Sequence, residues 1–478
     1  MNYRMILYTI GWVLNIEALC LVLPLICATI YGEPYILMFA ACIGICLFIG
    51  LLLTAKQPEN KSMYAKEGFV IVALSWIFMS AFGSLPFVFS GYVPKYIDAL
   101  FETVSGFTTT GASVLSDIEI LPKSLLFWRS FTHWIGGMGV LVFLVAILPL
   151  SGGSNFYLIK AESTGPAVGK LVPKVKSSAK LLYVMYIFLT TVEVILLLVG
   201  KLSLFEALTL SFGTAGTGGF GVINSSIGEY SPYVQYVITV FMILFGVDFS
   251  LYYLIVLRKI RTVFKSEEFK VYIGIILLSS VIICFNCFDL YGSVADAFRN
   301  SIFQVASIIT TTGFTTADYN LWPELSKTIL VTLMFIGSCA GSTGGGIKVS
   351  RVIILLKSIA KEIKIAVHPK RTYKTTMNGN LIEHETVRAI NVYMVAYIAI
   401  YVLSILIISI DNMDFTTNFT AVAATINNIG PGLAGVGPTH NFGTYSALSK
   451  LVFIFDMIAG RLEIFPVLVL FSKSTWKK

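Results

Sequence analysis

Thr109-Thr110-Gly111-Ala112-Ser113 opens a pattern that the chain writes three more times: Thr217-Gly218-Gly219-Phe220-Gly221, Thr311-Thr312-Gly313-Phe314-Thr315 and Asn428-Ile429-Gly430-Pro431-Gly432. Each stretch pairs a central glycine with a small or amide-bearing neighbour. Each follows a short, part-apolar segment and precedes a long apolar one. The pattern suits a tight loop that turns backbone carbonyls toward a common axis, with no bulk at the turn, as a cation filter requires. Filters of this kind usually gather their four loops from four chains. One chain carrying all four could build one pore.

Composition sets the environment. The 478 residues are 56% hydrophobic and 13% charged, against roughly 25% charged in a soluble protein. Many apolar runs approach or exceed the roughly 20 residues that cross a bilayer as a helix. The runs are continuous rather than alternating, which argues against a β-barrel. The first run is long and is followed at once by a second, so it reads as a span rather than a cleaved leader.

The net charge of +8 does not imply a nucleic-acid partner. Basic residues gather at Lys56, Lys61 and Lys66; at Lys160, Lys170, Lys174, Lys176 and Lys180; at Arg258, Lys259, Arg261, Lys265 and Lys270; from Lys348 to Arg388; and at Lys473, Lys477 and Lys478. With Arg4 these occupy alternate loops, as the positive-inside bias requires, and they place both termini in the cytoplasm. The seven cysteines lie in or beside apolar runs. Cys284 and Cys287 form a lone CxxC without the second pair a zinc site would need.

Two spans come first, at about 5–30 and 34–55. A unit of span, half-span with loop, and span then recurs four times. The expected divisions are 1–67 for the two extra helices, then 68–178, 179–268, 269–383 and 384–478 for the four units. The second span of each unit is expected from about Leu125, at 231–257, at 326–357 and at 445–472. The loop glycines Gly111, Gly219, Gly313 and Gly430 lie 108, 94 and 117 residues apart, a parallel repeat. The half-spans Asp98 to Thr108, Ser203 to Thr214, Asp296 to Thr310 and Asp414 to Thr425 are too short to cross. Their first residues are good N-caps. Each C-terminal end carries about half a negative charge, which favours a cation at the membrane centre. The fold class is therefore an all-α polytopic membrane protein with two N-terminal helices and four helix–pore-loop–helix repeats around one central pore.

These residues resemble the Trk/Ktr/HKT superfamily of potassium uptake proteins, over nearly the whole chain. The resemblance rests on Ser105-Gly106-Phe107-Thr108-Thr109-Thr110-Gly111-Ala112, His133-Trp134-Ile135-Gly136-Gly137-Met138-Gly139, Thr310-Thr311-Thr312-Gly313-Phe314 and Asn427-Asn428-Ile429-Gly430-Pro431-Gly432-Leu433. The two extra N-terminal spans point to the pore-forming Trk type. The resemblance implies one pore per subunit, a homodimer, and a TrkA-like cytosolic ring that binds nucleotide. It also implies that Ser at the first filter glycine marks Na⁺-permeable relatives, so Gly111 suggests K⁺ selectivity. The second loop is richer in glycine than the family's usual version, which leaves its register open.

On this reading the filter comprises Thr109, Thr110, Gly111, Thr217, Gly218, Gly219, Thr311, Thr312, Gly313, Asn428, Ile429 and Gly430. K⁺ would be held at Thr110, Gly111, Gly218, Gly219, Thr312, Gly313, Ile429 and Gly430, whose carbonyls and hydroxyls replace the ion's water shell. K⁺ is the transported ion, and no organic cofactor is expected. Below the filter, Gly337-Ser338-Cys339-Ala340-Gly341-Ser342-Thr343-Gly344-Gly345-Gly346 interrupts the second span of the third unit. Glycine costs a helix up to about 1 kcal/mol each against Ala. The other units lack such a run, so one inner helix of four is expected to break there. The stretch reads as a gate at Gly337, Gly341, Gly344, Gly345 and Gly346. The plainer alternative is a packing kink. Arg461, charged within the last span, is expected either to hold this loop shut through its carbonyls, as the resemblance also suggests, or to pair locally with Asp456 or Glu463.

Rival motifs fail on detail. Gly341 to Lys348 displaces the Lys of a phosphate loop and lacks its hydroxyl. Gly216, Gly218 and Gly221 fit GxGxxG without a preceding strand. The four histidines fit no metal spacing. Glu102, Glu206 and Asp117 could raise cation concentration at the mouth or be plain solvated surface. The function expected is potassium uptake across the cell (inner) membrane, with a Na⁺- or H⁺-coupled symporter of broken helices as the alternative. A membrane enzyme would want a cluster of acid, base or nucleophile, and none is found. A sensor that binds K⁺ without passing it stays open. Lys- and Arg-rich loops, 348–374 above all, suit an acidic partner or anionic membrane lipid.

Overall fold

In a computed structural model the residues described are 1–60, 64–139 and 175–476. The chain is predominantly helical. A two-stranded antiparallel hairpin, Thr376–Met377 with Asn380–Leu381, is the sheet found among the described residues. Lys160, Lys170 and Lys174, and the expected continuation of the span from Leu125 toward Leu150, lie outside them.

Among the described residues, six helices are long and apolar enough to cross a membrane: Tyr3–Ile30, Ile36–Thr54, Ala65–Phe89, Leu181–Val199, Glu267–Asn286 and His384–Asp411. These match the two N-terminal spans and the first span of each expected unit. The second spans behave differently. Lys123–Met138 ends at Gly139 (φ 71°). Pro232–Phe245 and Phe249–Val256 meet at 91°. Glu324–Ile336 and Val349–Val367 flank the Gly-rich stretch, and Ala447–Arg461 gives way to Phe465–Phe471. The expectation that one inner helix is broken is therefore corrected: among the described residues, three are. The extra breaks carry no glycine run. At Gly246-Val247-Asp248 the second half is capped by Asp248, which accepts from Ser250 N at 2.8 Å. At Glu463 and Ile464 the backbone turns left-handed (φ 61° and 66°). Backbone polar groups freed by a break must find partners within the protein at membrane depth. Here Gly246 O is taken by Cys339 N at 3.1 Å.

Four short helices, Tyr96–Phe107, Leu204–Gly216, Val294–Ile309 and Phe415–Ile426, lie within about two residues of the expected half-spans. Two N-caps differ. Ser203 and Asp414 cap their helices, accepting from Glu206 N and Thr417 N. Asp98 and Asp296 instead sit in the first turn behind Lys95 and Ser293. Asp98 pairs with Lys450 at 2.6 Å. Around the short helices the core closes with fully buried Phe101, Phe107, Trp128, Phe220, Phe303 and Tyr272.

Candidate functional site

All four short helices close with the same turn. Just past the end the backbone becomes left-handed, at the first residue after Leu204–Gly216 and at the second after the other three: Thr109 (φ 56°), Thr217 (55°), Thr311 (60°) and Asn428 (56°). The N–H of each bonds the carbonyl three residues back, in Gly106, Thr214, Ile308 and Thr425, at 2.9 to 3.2 Å. The next N–H bonds the carbonyl five back: Thr110 to Ser105, Gly218 to Gly213, Thr312 to Ser307 and Ile429 to Ala424, at 2.8 to 2.9 Å. This is the Schellman closure, usually made with Gly at the left-handed position. A second positive φ follows at Gly111 (79°), Gly219 (78°), Gly313 (84°) and Gly430 (99°). The matching dihedrals place Gly219, not Gly218, in register with Gly111.

The loops interlock in chain order. A Cβ placed on Gly111 would lie 2.0 Å from Gly218 O, one on Gly219 2.0 Å from Thr312 O, and one on Gly313 2.0 Å from Ile429 O. A Cβ on Gly430 would lie 2.8 Å from Thr110 O, which closes the ring. The carbonyls of Thr110, Gly218, Thr312 and Ile429 thus come together around one centre. The stretches that follow the loops line a cavity of about 170 Å³, bounded in part by Gly111, Gly219, Gly313 and Gly430. All twelve residues expected in the filter meet here.

Three left-handed positions are held by Thr, a β-branched residue that is a genuine outlier there, at a cost of about 1–3 kcal/mol each. Their side chains show what they supply. Thr109 Oγ1 accepts from Arg461 Nη1 at 3.1 Å. Thr311 Oγ1 accepts from Gly345 N at 2.6 Å. Asn428 Nδ2 donates to Thr110 Oγ1 and Met457 O, both at 2.9 Å. Thr217 Oγ1 turns to Gly216 O at 2.6 Å. Thr109, Thr311 and Asn428 therefore connect the ring to the structure beneath it, a role that sequence reasoning missed.

The Gly-rich stretch lies directly under the ring. A Cβ on Gly344 would meet Thr310 O at 2.7 Å, and one on Gly345 would meet Asn427 O at 2.5 Å. Gly337, Gly341 and Gly346 have φ of 73–75°. The stretch is fastened on several sides. Phe249 N donates to Gly341 O at 3.1 Å, and Thr343 Oγ1 to Phe245 O at 3.2 Å. Glu268 accepts from Ala340 N at 2.8 Å and Ser350 N at 3.0 Å, which ties the two ends together. Lys348 Nζ donates to Gly344 O. Arg461 donates to Thr343 O at 2.8 Å and to Gly136 O at 2.6 Å. The two acids considered as local partners for Arg461 are engaged elsewhere: Glu463 pairs with Arg351, and Asp456 Oδ1 accepts from Ser404 at 2.8 Å. Glu268, in the first turn of its helix, gave no sign in the sequence. Only the fold brings it to the loop.

Of the three mouth acids, one needs correction. Glu102 is 1% exposed and bonded to Arg129, so it is neither solvated nor at an open mouth. Glu206 closes the capping box with Ser203. Asp117 accepts from Asn224 Nδ2 at 2.8 Å. No group of three or more metal-ligating side chains occurs among the described residues.

Comparison with known proteins agrees with this geometry. The family model described as "TrkH: Cation transport protein" matches residues 37–283 and 290–478. The Trk system potassium uptake protein TrkH of Salmonella typhimurium is 34% identical, over the full length of both chains. The Trk system potassium uptake protein TrkG of Escherichia coli is 32% identical over 100% of this chain and 99% of that one. The crystal structure of the potassium transporter TrkH from Vibrio parahaemolyticus superposes over 100% of both chains with a TM-score of 0.89 at 33% identity. The chain belongs to the TrkH family of cation transport proteins.

Proposed function

We propose that this chain is a potassium uptake protein in which the four loops form one selectivity filter and the Gly-rich stretch forms the gate. The observation that carries the reading is the closed ring of four matching helix ends, each aiming one carbonyl into a space no side chain could share. Backbone carbonyls at fixed positions replace the hydration shell of a K⁺ ion. The negative ends of four short helices add to the attraction. The Gly-rich stretch, packed against Thr310 O and Asn427 O, bars the way below, and Arg461 and Thr311 fasten it.

The wider arrangement follows from the same reading. The chain carries two N-terminal helices and four helix–loop–helix units, in the cell (inner) membrane with both termini cytoplasmic. It works as a homodimer with a TrkA-like nucleotide-binding ring, docked on basic cytoplasmic loops such as 348–374. Coupled uptake is a second reading with an observation in its favour. The carboxylate oxygens of Glu17 and Glu193, and Asp456 Oδ2, are buried without a hydrogen-bond partner among the described residues. Acids of this kind inside a membrane often relay protons.

The test is Rb⁺ and Na⁺ influx into proteoliposomes holding the purified chain, with and without a pH gradient. Rb⁺ influx well above Na⁺ supports the filter. Equal influx of the two ions refutes it, and Rb⁺ uptake that requires the pH gradient favours the coupled reading.

A further inference from the structure

We propose that the buried ion pair between Arg129 and Glu102 is a specificity determinant, clamping the first and second loops together and setting the width of the seam between them. This rests on the reading of the four loops as one filter.

The pair lies behind the ring. Glu102, on the first short helix, is 1% exposed, and Arg129, on Lys123–Met138, is 4% exposed. Arg129 Nε meets Glu102 Oε1 at 2.6 Å. The carboxylate also accepts from Ser113 Oγ and Val114 N, each at 3.1 Å, just past Gly111. The guanidinium donates to Gly221 O at 3.2 Å, just past Gly219. It also lies 3.5 Å from the centroid of Phe220. The other partner of that ring is His133, stacked at 4.1 Å, whose Nδ1 accepts from Phe220 N at 3.4 Å. One ion pair therefore grips the backbone on both sides of the seam where Gly111 and Gly218 O approach most closely.

Stability alone does not call for charges here. A buried pair loses hydration, and apolar replacement of such pairs is often neutral or stabilising. A carboxylate and a guanidinium fork offer instead several short, directional bonds at fixed angles. The other seams are closed by different means. Ile227 N donates to Thr315 O at 2.9 Å between loops two and three. Ala434 N donates to Asn320 Oδ1 at 2.9 Å between three and four. Phe442 N donates to Ser113 O at 2.8 Å between four and one. The residues nine before Gly219, Gly313 and Gly430, where Glu102 stands relative to Gly111, are Leu210, Gln304 and Ala421. None of the three can form this ion pair. With the clamp released, the carbonyls of Thr110 and Gly218 move independently and can close around a smaller cation.

The test compares Rb⁺ and Na⁺ influx for wild type, Arg129→Gln, Glu102→Gln, the double variant and Gly111→Ser in proteoliposomes. Arg129→Gln should lower the Rb⁺/Na⁺ ratio about tenfold, equivalent to about 1.4 kcal/mol. The double variant leaves no lone buried charge, so it should regain folded yield while its ratio stays low. A purely structural pair would lower yield without moving the ratio. A double variant with the wild-type ratio overturns the clamp even if both single variants fail to fold. A wild type without preference for Rb⁺ overturns the filter reading instead, and Gly111→Ser shows that the assay detects a relaxed filter.

Discussion

Adding a single methyl at Gly111 is the sharpest probe of the ring. The Cβ of Gly111→Ala would stand 2.0 Å from Gly218 O, where real Cβ atoms keep at least about 3.0 Å, so that carbonyl must retreat by about 1 Å. The residue would also hold φ near +79°, which costs an L side chain roughly 1–2 kcal/mol. Neither strain can be relieved by a rotamer, because the obstacle is backbone. Gly219 and Gly313 face the same 2.0 Å contact, whereas Gly430 has 2.8 Å to Thr110 O. The expected order is therefore a large loss of Rb⁺ over Na⁺ preference for Gly111→Ala, Gly219→Ala and Gly313→Ala, and a smaller loss for Gly430→Ala. Gly44→Ala, with nothing within 4 Å of its added carbon, should leave the preference unchanged. The assay is paired Rb⁺ and Na⁺ influx normalised to folded protein. A Gly111→Ala protein that keeps wild-type preference, or a Gly430→Ala protein that loses the most, would refute the reasoning.

Further predictions concern the gate and the outer surface. Arg461→Ala removes charge-assisted bonds to Thr343 O, Thr109 Oγ1 and Gly136 O, worth about 1.5–3 kcal/mol for a bond to a charged group. Resting influx should rise about tenfold or more, and unchanged influx in folded protein counts against the gate. Thr311→Val strips Gly345 N of its acceptor and should raise resting influx in the same direction, by up to about tenfold for one buried unsatisfied donor. Asp414 lies outside the spans, and hydrogen bonds from Thr417, the hydroxyl first and then the N–H, hold its carboxyl below the usual range. Its contribution is present above the unfolded pKa and lost as pH falls through the lower folded one. Asp414→Ala should therefore lower thermal stability at pH 7 by about 0.5 kcal/mol for an exposed cap. The gap between wild type and variant should narrow below about pH 4, and melting curves at both pH values check it.

The sequence by itself determined the helical class, the lengths of the short helices to within about two residues and the four loop stretches. It did so because these features follow from local quantities: apolar run length, a glycine demanded by a left-handed turn, and five glycines within ten residues, which no helix holds comfortably. It also named Arg461, since a charge inside an apolar span needs a reason. What tertiary structure decided was everything that depends on a partner far along the chain. The register of the second loop was open between Gly218 and Gly219, and only the φ shared with Gly111, Gly313 and Gly430 settled it. The break at Gly246 has no strong local signal, because the distant Cys339 N supplies the hydrogen bond that its carbonyl needs. Glu102 resembles a mouth acid in sequence, yet it is the inward partner of Arg129, 27 residues away. Thr109, Thr311 and Asn428 were legible as loop residues but not as links to the layer below. Their side chains find Arg461, Gly345 and Met457 only once four separate segments have been brought to one axis.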